Sequence, residues 1–317
     1  MAVYEHRLSR YRSALQAGFF ILFVVAPPLN IFRYDLTLGH FIILGMPWTL
    51  GLDALGDGSM EAAINVMLRG LLPVLLFAAA FIWVAWRYGR LYCGWLCPHF
   101  SVVETINRFM QRASGKPSIW EQEALPVRQP NGTMLKPDVR YWLLTVPLAA
   151  AFAFLWALSL LTYLLPPFEI YHNLLNASLT ANQARFLGIG TLLFFIDFMF
   201  ARHLFCRFGC AVGLFQSLAW MGNPRALVVG FDAARARSCK DCNNACENVC
   251  PMRLRPRSIK RRMFTCTECT QCITACEQVQ ANNPAGGLLQ WVDGEQATPV
   301  VTGKSVLSAV DRSVTGH

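Results

Sequence analysis

Residues 239–276 read CKDCNNACENVCPMRLRPRSIKRRMFTCTECTQCITAC and carry eight of the chain's 12 cysteines. The second run, Cys266, Cys269, Cys272 and Cys276, is spaced C-x2-C-x2-C-x3-C. Three thiolates on so short a loop can cap three irons of one cubane. The fourth cysteine of such a run ligates the other cluster when two are present. The first run, Cys239, Cys242, Cys246 and Cys250, has one residue more than usual before Cys246 and is followed by Pro251. The spacing predicts two [4Fe-4S] clusters, one on Cys239, Cys242, Cys246 and Cys276, the other on Cys266, Cys269, Cys272 and Cys250. Structural zinc pairs two C-x2-C knuckles across a longer insert, a pattern these crossed runs fit poorly. Disulfides suit small secreted scaffolds. The extra residue before Cys246 is expected to bulge its loop or to leave that cluster unusual or labile.

Composition places this region beside a membrane. Of 317 residues, 54% are hydrophobic and only 15% charged, too apolar for an ordinary soluble domain. The net charge of +9 reads as positive-inside loops, not as nucleic-acid binding. The start, MAVYEHRLSRYR, runs into an apolar stretch with no small-residue cleavage site, so no signal peptide is expected.

Four segments approach the length needed to span a bilayer, about 20 residues: 14–33, 68–87, 141–165 and 187–205. Pro27-Pro28 should kink or stop the first. Residues 41–48, FIILGMPW, are too short and suit an interfacial or re-entrant piece. Arg7, Arg10 and Arg12 precede the first span, the loop between the second and third is rich in Lys and Arg, and the stretch 34–67 has neither. Both termini and the clusters should therefore face the cytoplasm of a bacterial inner membrane. The expected fold is an all-α bundle of four transmembrane helices with a small cytoplasmic α+β two-cluster ferredoxin-like domain. Its parts are an N-terminal tail (1–13), a membrane domain (14–222), the cluster domain (223–294) and a disordered tail (295–317).

An internal repeat follows the second and fourth spans: Cys93-Gly-Trp-Leu-Cys97 and Cys206-Arg-Phe-Gly-Cys210. Positions i and i+4 share a helix face, so each pair can clamp one soft ion, or all four can form one site for Cu(I), zinc or iron–sulfur. Each pair leads into an amphipathic stretch expected to lie on the membrane surface. In the first, Val102, Val103, Ile106, Phe109 and Met110 form the apolar face and Glu104, Arg108 and Arg112 the polar one. In the second the apolar positions are Leu214, Phe215, Leu218 and Met221. Asp197, inside the fourth span, is a functional-site candidate by its cost there, for proton uptake or a quinone hydrogen bond. His99 and His203 are weaker ligand candidates. The basic string Arg253, Arg255, Arg257, Lys260, Arg261 and Arg262 is expected to hold the domain against anionic lipid headgroups, and to raise cluster potentials.

On these motifs the chain resembles the membrane polyferredoxins, in which two C-x3-C(P) motifs follow transmembrane hairpins and two [4Fe-4S] motifs come after. Tyr92-Cys93-Gly94-Trp95-Leu96-Cys97-Pro98, the FIILGMPW loop and Cys276-Glu277 are similar to the cytochrome c oxidase accessory family (CcoG, FixG, RdxA). That resemblance implies copper at Cys93, Cys97, Cys206 and Cys210, reduction of Cu(II) and a cbb-type oxidase assembly partner. The Asp197–His203–Cys206 spacing and the short C-terminus resemble NapH, which implies quinol oxidation and a periplasmic reductase partner. A redox-sensing subunit without catalysis is the third expectation. Cys210-Ala211 departs from the proline the family favours.

Overall fold

The computed structural model describes residues 2–51, 60–116, 119–129, 132–240 and 242–294, with side chains from Leu8 onward. The tail expected at 295–317 lies outside the described residues. In chain order the elements are α1 (Ala2–Val25), β1 (Phe32–Asp35), β2 (His40–Ile43), β3 (Met46–Trp48), α2 (Met60–Tyr88), α3 (Leu91–Trp95), α4 (Pro98–Ser114) and α5 (Val139–Leu164). There follow α6 (Pro167–Leu175), α7 (Ala181–Ala201), α8 (Ala211–Met221), β4 (Leu227–Phe231), α9 (Ala245–Asn248), α10 (Gln271–Val279) and β5 (Leu289–Asp293).

Among the described residues three helices, α2, α5 and α7, are long and apolar enough to cross a membrane. The expected span 14–33 is divided. Its helix ends at Val25 and the chain then turns, because Pro27 and Pro28 cannot continue a helical ladder and Asn30 takes a left-handed φ of 52°. Residues 2–13, expected as a tail, are the first half of α1. The FIILGMPW piece is a β-hairpin. Leu44 (φ 51°) and Gly45 (φ 77°) make a two-residue turn with both φ positive, which matches strand twist and sets Ile43 opposite Met46.

The described chain divides into two compact units. One comprises Gly18–Ile82 and Pro147–Met199. Its core gathers Ala157, Leu158, Leu161, Ile170 and Leu187, and Phe23 stacks on Trp156 with ring centroids 4.5 Å apart. Helix α7 starts on a capping box, Thr180 and Gln183 each satisfying the other's backbone N–H.

The other unit comprises Met1–Ala17, Trp83–Val146 and Phe200–His317, and holds all 12 cysteines. Its organiser is the antiparallel pair β4–β5. Strand residues alternate in direction, so the pair separates two apolar clusters. Val228, opposite Val292, joins Phe100, Trp220, Met252 and Met263, while Val229, Phe231 and Leu289 join Ile273 and Leu288 on the other side.

Of the helices after the C-x3-C motifs, α4 buries Val102, Val103, Ile106 and Met110 of its expected apolar face, and α8 does not follow its expected face. In α4, Glu104 is buried and ion-paired to Arg12 at 2.5 Å, although its position in the sequence reads as the polar face. In α8 the buried residues are Gly213, Gln216, Ser217 and Trp220, while Phe215 and Leu218 are exposed. The face is reversed because Gln216 and Ser217 serve polar partners inside the unit. Gln216 accepts from Cys93, and Ser217 joins Arg90 to the Phe264 carbonyl.

Candidate metal centre

Two small cavities lie under one face of the β4–β5 pair, each ringed by four cysteines. Cys239, Cys242, Cys246 and Cys276 line the first, with Phe231 and Leu289 above them. Cys250, Cys266, Cys269 and Cys272 line the second, with Val229 and Trp291. Phe231 pairs with Leu289 and Val229 with Trp291, so adjacent same-face rungs of one ladder each cover one cavity. Same-face residues repeat about every 7 Å along a strand, which makes the two cavities close neighbours. Cys276 stands with the first run and Cys250 with the second.

Local backbone explains how each run closes its ring. Asn243 (φ 47°) and Asn244 (φ 55°) are both left-handed, and they absorb the extra residue between Cys242 and Cys246 as a tight turn that starts α9. Asparagine accepts that conformation more readily than most residues. In the second run Glu268 (φ 49°) and Thr270 (φ 64°) are left-handed on either side of Cys269. Backbone N–H groups point at sulfur: Leu254 donates to Cys250 Sγ and Leu288 to Cys276 Sγ, both at 3.3 Å.

Burial dominates the electrostatics. It pushes the Cys246 thiol up to about 12 and Cys250 to about 11, and it raises Cys266, Cys269 and Cys272 as well. Such thiols hold their protons in metal-free protein, and binding a metal must displace them. All-thiolate sets of four, backed by N–H donors and closed by apolar side chains, fit a [4Fe-4S] cluster chemically. Glu268, between Cys266 and Cys269, is buried, and desolvation keeps its carboxyl well above the usual carboxylate range.

Cysteines of the two C-x3-C motifs converge on Arg90, a residue outside both motifs. It is 1% exposed. Nε donates to Ser217 Oγ and Nη1 to the Cys206 carbonyl, both at 2.6 Å, while Nη2 is buried with no partner. Burial lowers its pKa, against the pull of Cys93, Cys210, Cys206 and Cys266 in that order. Burial also raises Cys93 to about 12, and Cys97 and Cys210 are close enough to add to it. Cys206 Sγ lies 3.5 Å from His99 Nδ1. This group docks on the second thiol ring. The Trp95 indole donates to the Glu268 carbonyl at 3.1 Å, and a Cβ on Gly94 would stand 2.1 Å from the Thr267 carbonyl oxygen. Only glycine allows that approach.

Other expected residues fall elsewhere. Asp197 is half-buried at the start of a π-helical turn, Asp197–Ala201, and belongs to the other unit. His203 is in the thiol-bearing unit, half-buried against Asn107 and edge-on to Phe100. The basic string is partly committed inward. Arg253 grips Glu121 with two bonds of 2.8 and 2.6 Å, Arg257 holds Glu247, and Lys260 bonds the Trp220 and Asn223 carbonyls. Arg255, Arg261 and Arg262 are exposed. Arg12 and Gln16, which fall in the expected tail and first span, both bond Glu104 and the Gly94 carbonyl. Their i, i+4 spacing on one helix was the available signal.

Residues 71–117 match a family model described as a 4Fe-4S binding domain. The cysteines in that segment are Cys93 and Cys97. The chain is 24% identical over 231 residues to the putative electron transport protein YccM of Escherichia coli, covering 69% of this chain and 60% of that protein. It is 27% identical over 199 residues to the methylamine utilization ferredoxin-type protein MauN of Methylorubrum extorquens, covering 59% and 58%. The chain thus spans less than two thirds of the length of either relative. No solved structure matches.

Proposed function

We propose that this chain is a membrane-bound iron–sulfur electron-transfer protein. The observation that carries the reading is the pair of adjacent cavities, each ringed by four cysteines drawn from both runs. The match to a 4Fe-4S binding model and the electron-transport and ferredoxin-type relatives support it. Cys239, Cys242, Cys246 and Cys276 hold one cluster; Cys250, Cys266, Cys269 and Cys272 hold the other. When bound, the clusters supply one-electron carriage. The protein's own residues fix the thiols, exclude water through Phe231, Leu289, Val229 and Trp291, and donate N–H bonds to sulfur. Anaerobic purification should yield about eight irons and eight acid-labile sulfides per chain. Cys250→Ser should alter the same EPR signal as Cys266→Ser, and Cys276→Ser the same signal as Cys239→Ser. Colourless protein carrying zinc would end the proposal.

The cluster-bearing unit is placed on the cytoplasmic face of a bacterial inner membrane, with α2, α5, α7 and the apolar part of α1 as four spans. Support comes from Arg10, Arg12 and the Lys- and Arg-rich loops flanking the spans. A C-terminal GFP fusion should fluoresce and an alkaline phosphatase fusion should be inactive; the reverse pattern overturns the orientation.

For the four remaining cysteines the proposed role is binding and reducing copper in support of a cbb-type oxidase. It is supported by Cys93, Cys206 and Cys210 gathering around Arg90 beside Cys266, with Cys97 next to Cys93 and Cys210. Cu(II) reduction should disappear in Cys93→Ser and in Cys206→Ser. Full activity in both removes this role without touching the clusters. The quinol-oxidising alternative rests on Asp197 within an apolar helix. It predicts bleaching of the clusters by a quinol analogue, lost in Asp197→Asn.

A further inference from the structure

Beside the second thiol ring, within the same unit, lies a separate cavity of about 590 Å³. Cys250 and Thr270 line both. The volume is in the range of small-molecule sites. Its wall carries a side chain that the fold leaves incomplete. Arg202 is 4% exposed. Nη1 donates to Asn107 Oδ1 at 2.7 Å, but Nη2 is buried and finds no partner. The Asn107 amide in turn bonds the His203 ring at 2.9 Å.

Both carboxylates on the wall are already engaged, Glu104 by Arg12 and Glu121 by Arg253. Arg108 and Arg207 also line the cavity, so its charge is net positive. A guanidinium withdrawn from water with an idle N–H edge is costly unless an oxyanion completes it. The planar fork of arginine matches carboxylate and phosphate oxygens. Glu121 acts on Arg202 and Glu104 on Arg108 through space, but neither carboxylate hydrogen-bonds them, and the surplus of arginines over carboxylates on the wall favours the more highly charged of the two. Trp120 and Phe200 add aromatic surface for an organic remainder.

We infer that the cavity walled by Asn107, Arg202, His203 and Cys250 binds the phosphate group of an organic molecule, with Arg202 turning its unpartnered Nη2 toward the oxygens. The site stands on Arg202 and the cavity, and it goes beyond the electron-transfer reading. Phosphate of this kind has two sources, a soluble cofactor or nucleotide and a phospholipid headgroup.

The test titrates full-length, anaerobically purified protein in detergent. FMN is compared with riboflavin for the soluble source, and phosphatidic acid with diacylglycerol in mixed micelles for the lipid source. Binding is read by calorimetry and native mass spectrometry. In at least one arm the phosphate-bearing member should bind and its phosphate-free counterpart should not. Arg202→Gln should weaken that binding about tenfold or more, as loss of a charge-assisted fork does. Arg207→Gln, a rim change, should weaken it less, and it keeps the test open if Arg202→Gln fails to fold. Iron content, measured alongside, separates this result from cluster loss. If neither arm distinguishes phosphate-bearing from phosphate-free molecules, or if both variants bind as the parent does, the site is overturned.

Discussion

His203 sits where the backbone leaves α7, and burial holds its pKa down at about 4, with Arg202 and Arg253 reinforcing the shift and Glu104 opposing it. In an unfolded chain it titrates near 6.5. The unfolded state therefore binds more protons between these values, and folding stability falls as pH drops through that window. Its neutral burial contributes fully above about pH 6.5, and about 2 kcal/mol is lost between pH 7 and pH 5. Thermal unfolding at the two pH values should show a steeper drop for the parent than for His203→Gln. Equal slopes would place the titrating group elsewhere. Arg90 is a second test at this scale. Arg90→Gln leaves the Cys206 carbonyl and Ser217 short of a charged donor at a buried point, costing about 2–4 kcal/mol in unfolding free energy. Arg90→Lys should recover only part, because an ammonium cannot reproduce the two bonds of the fork. A midpoint unchanged by either variant would contradict the contacts described.

Among the elements, α3 bears on the cluster reading most directly. Gly94 lets its backbone touch the loop that carries Cys266 and Cys269. Gly94→Ala should push the two apart and cost the protein iron from one thiol ring, about half the total, while the EPR signal assigned to the Cys239 set persists. An unchanged iron count would mean the loop tolerates the shift. The elements also show what could be read beforehand. Long apolar runs made α2, α5 and α7 legible, because length and hydropathy need no knowledge of neighbours. The two dense cysteine runs that supply the lining of both cavities were legible from spacing. The packing of α8 and the burial of Glu104 in α4 were not. Periodicity finds an apolar face, but the buried face of α8 is chosen by Arg90, 127 residues from its partner Ser217. Glu104 reads as a solvent-facing residue until Arg12, 92 positions away, is brought to it. Likewise β2 and β3 look like an interfacial fragment, since the decisive cue is the pair of positive φ angles at Leu44 and Gly45.

At the scale of the whole molecule, the outward surface of α2 is informative. Phe77 is 74% exposed and none of the helix's most apolar stretch is buried against protein. A helix so bare in water would drive aggregation, whereas in a bilayer it needs no protein cover. Phe77→Arg should lower the inserted fraction by the cost of a central arginine, about 2.5–3.5 kcal/mol on insertion scales. Carbonate extraction of membranes would measure it, and undiminished retention would show that α2 is not a span. The exchange of Cys250 and Cys276 between the two rings has a different reach. During synthesis the ribosome delivers Cys239, Cys242 and Cys246 early, but their fourth companion is 30 positions further on, behind the whole arginine-bearing connector. Neither ring can be closed on a nascent chain that has stopped at Pro251. On the proposed assignment, closing either ring must wait for the second run to emerge; truncation anywhere before Cys272 leaves both rings open, whereas loss of Cys276 alone opens only the first.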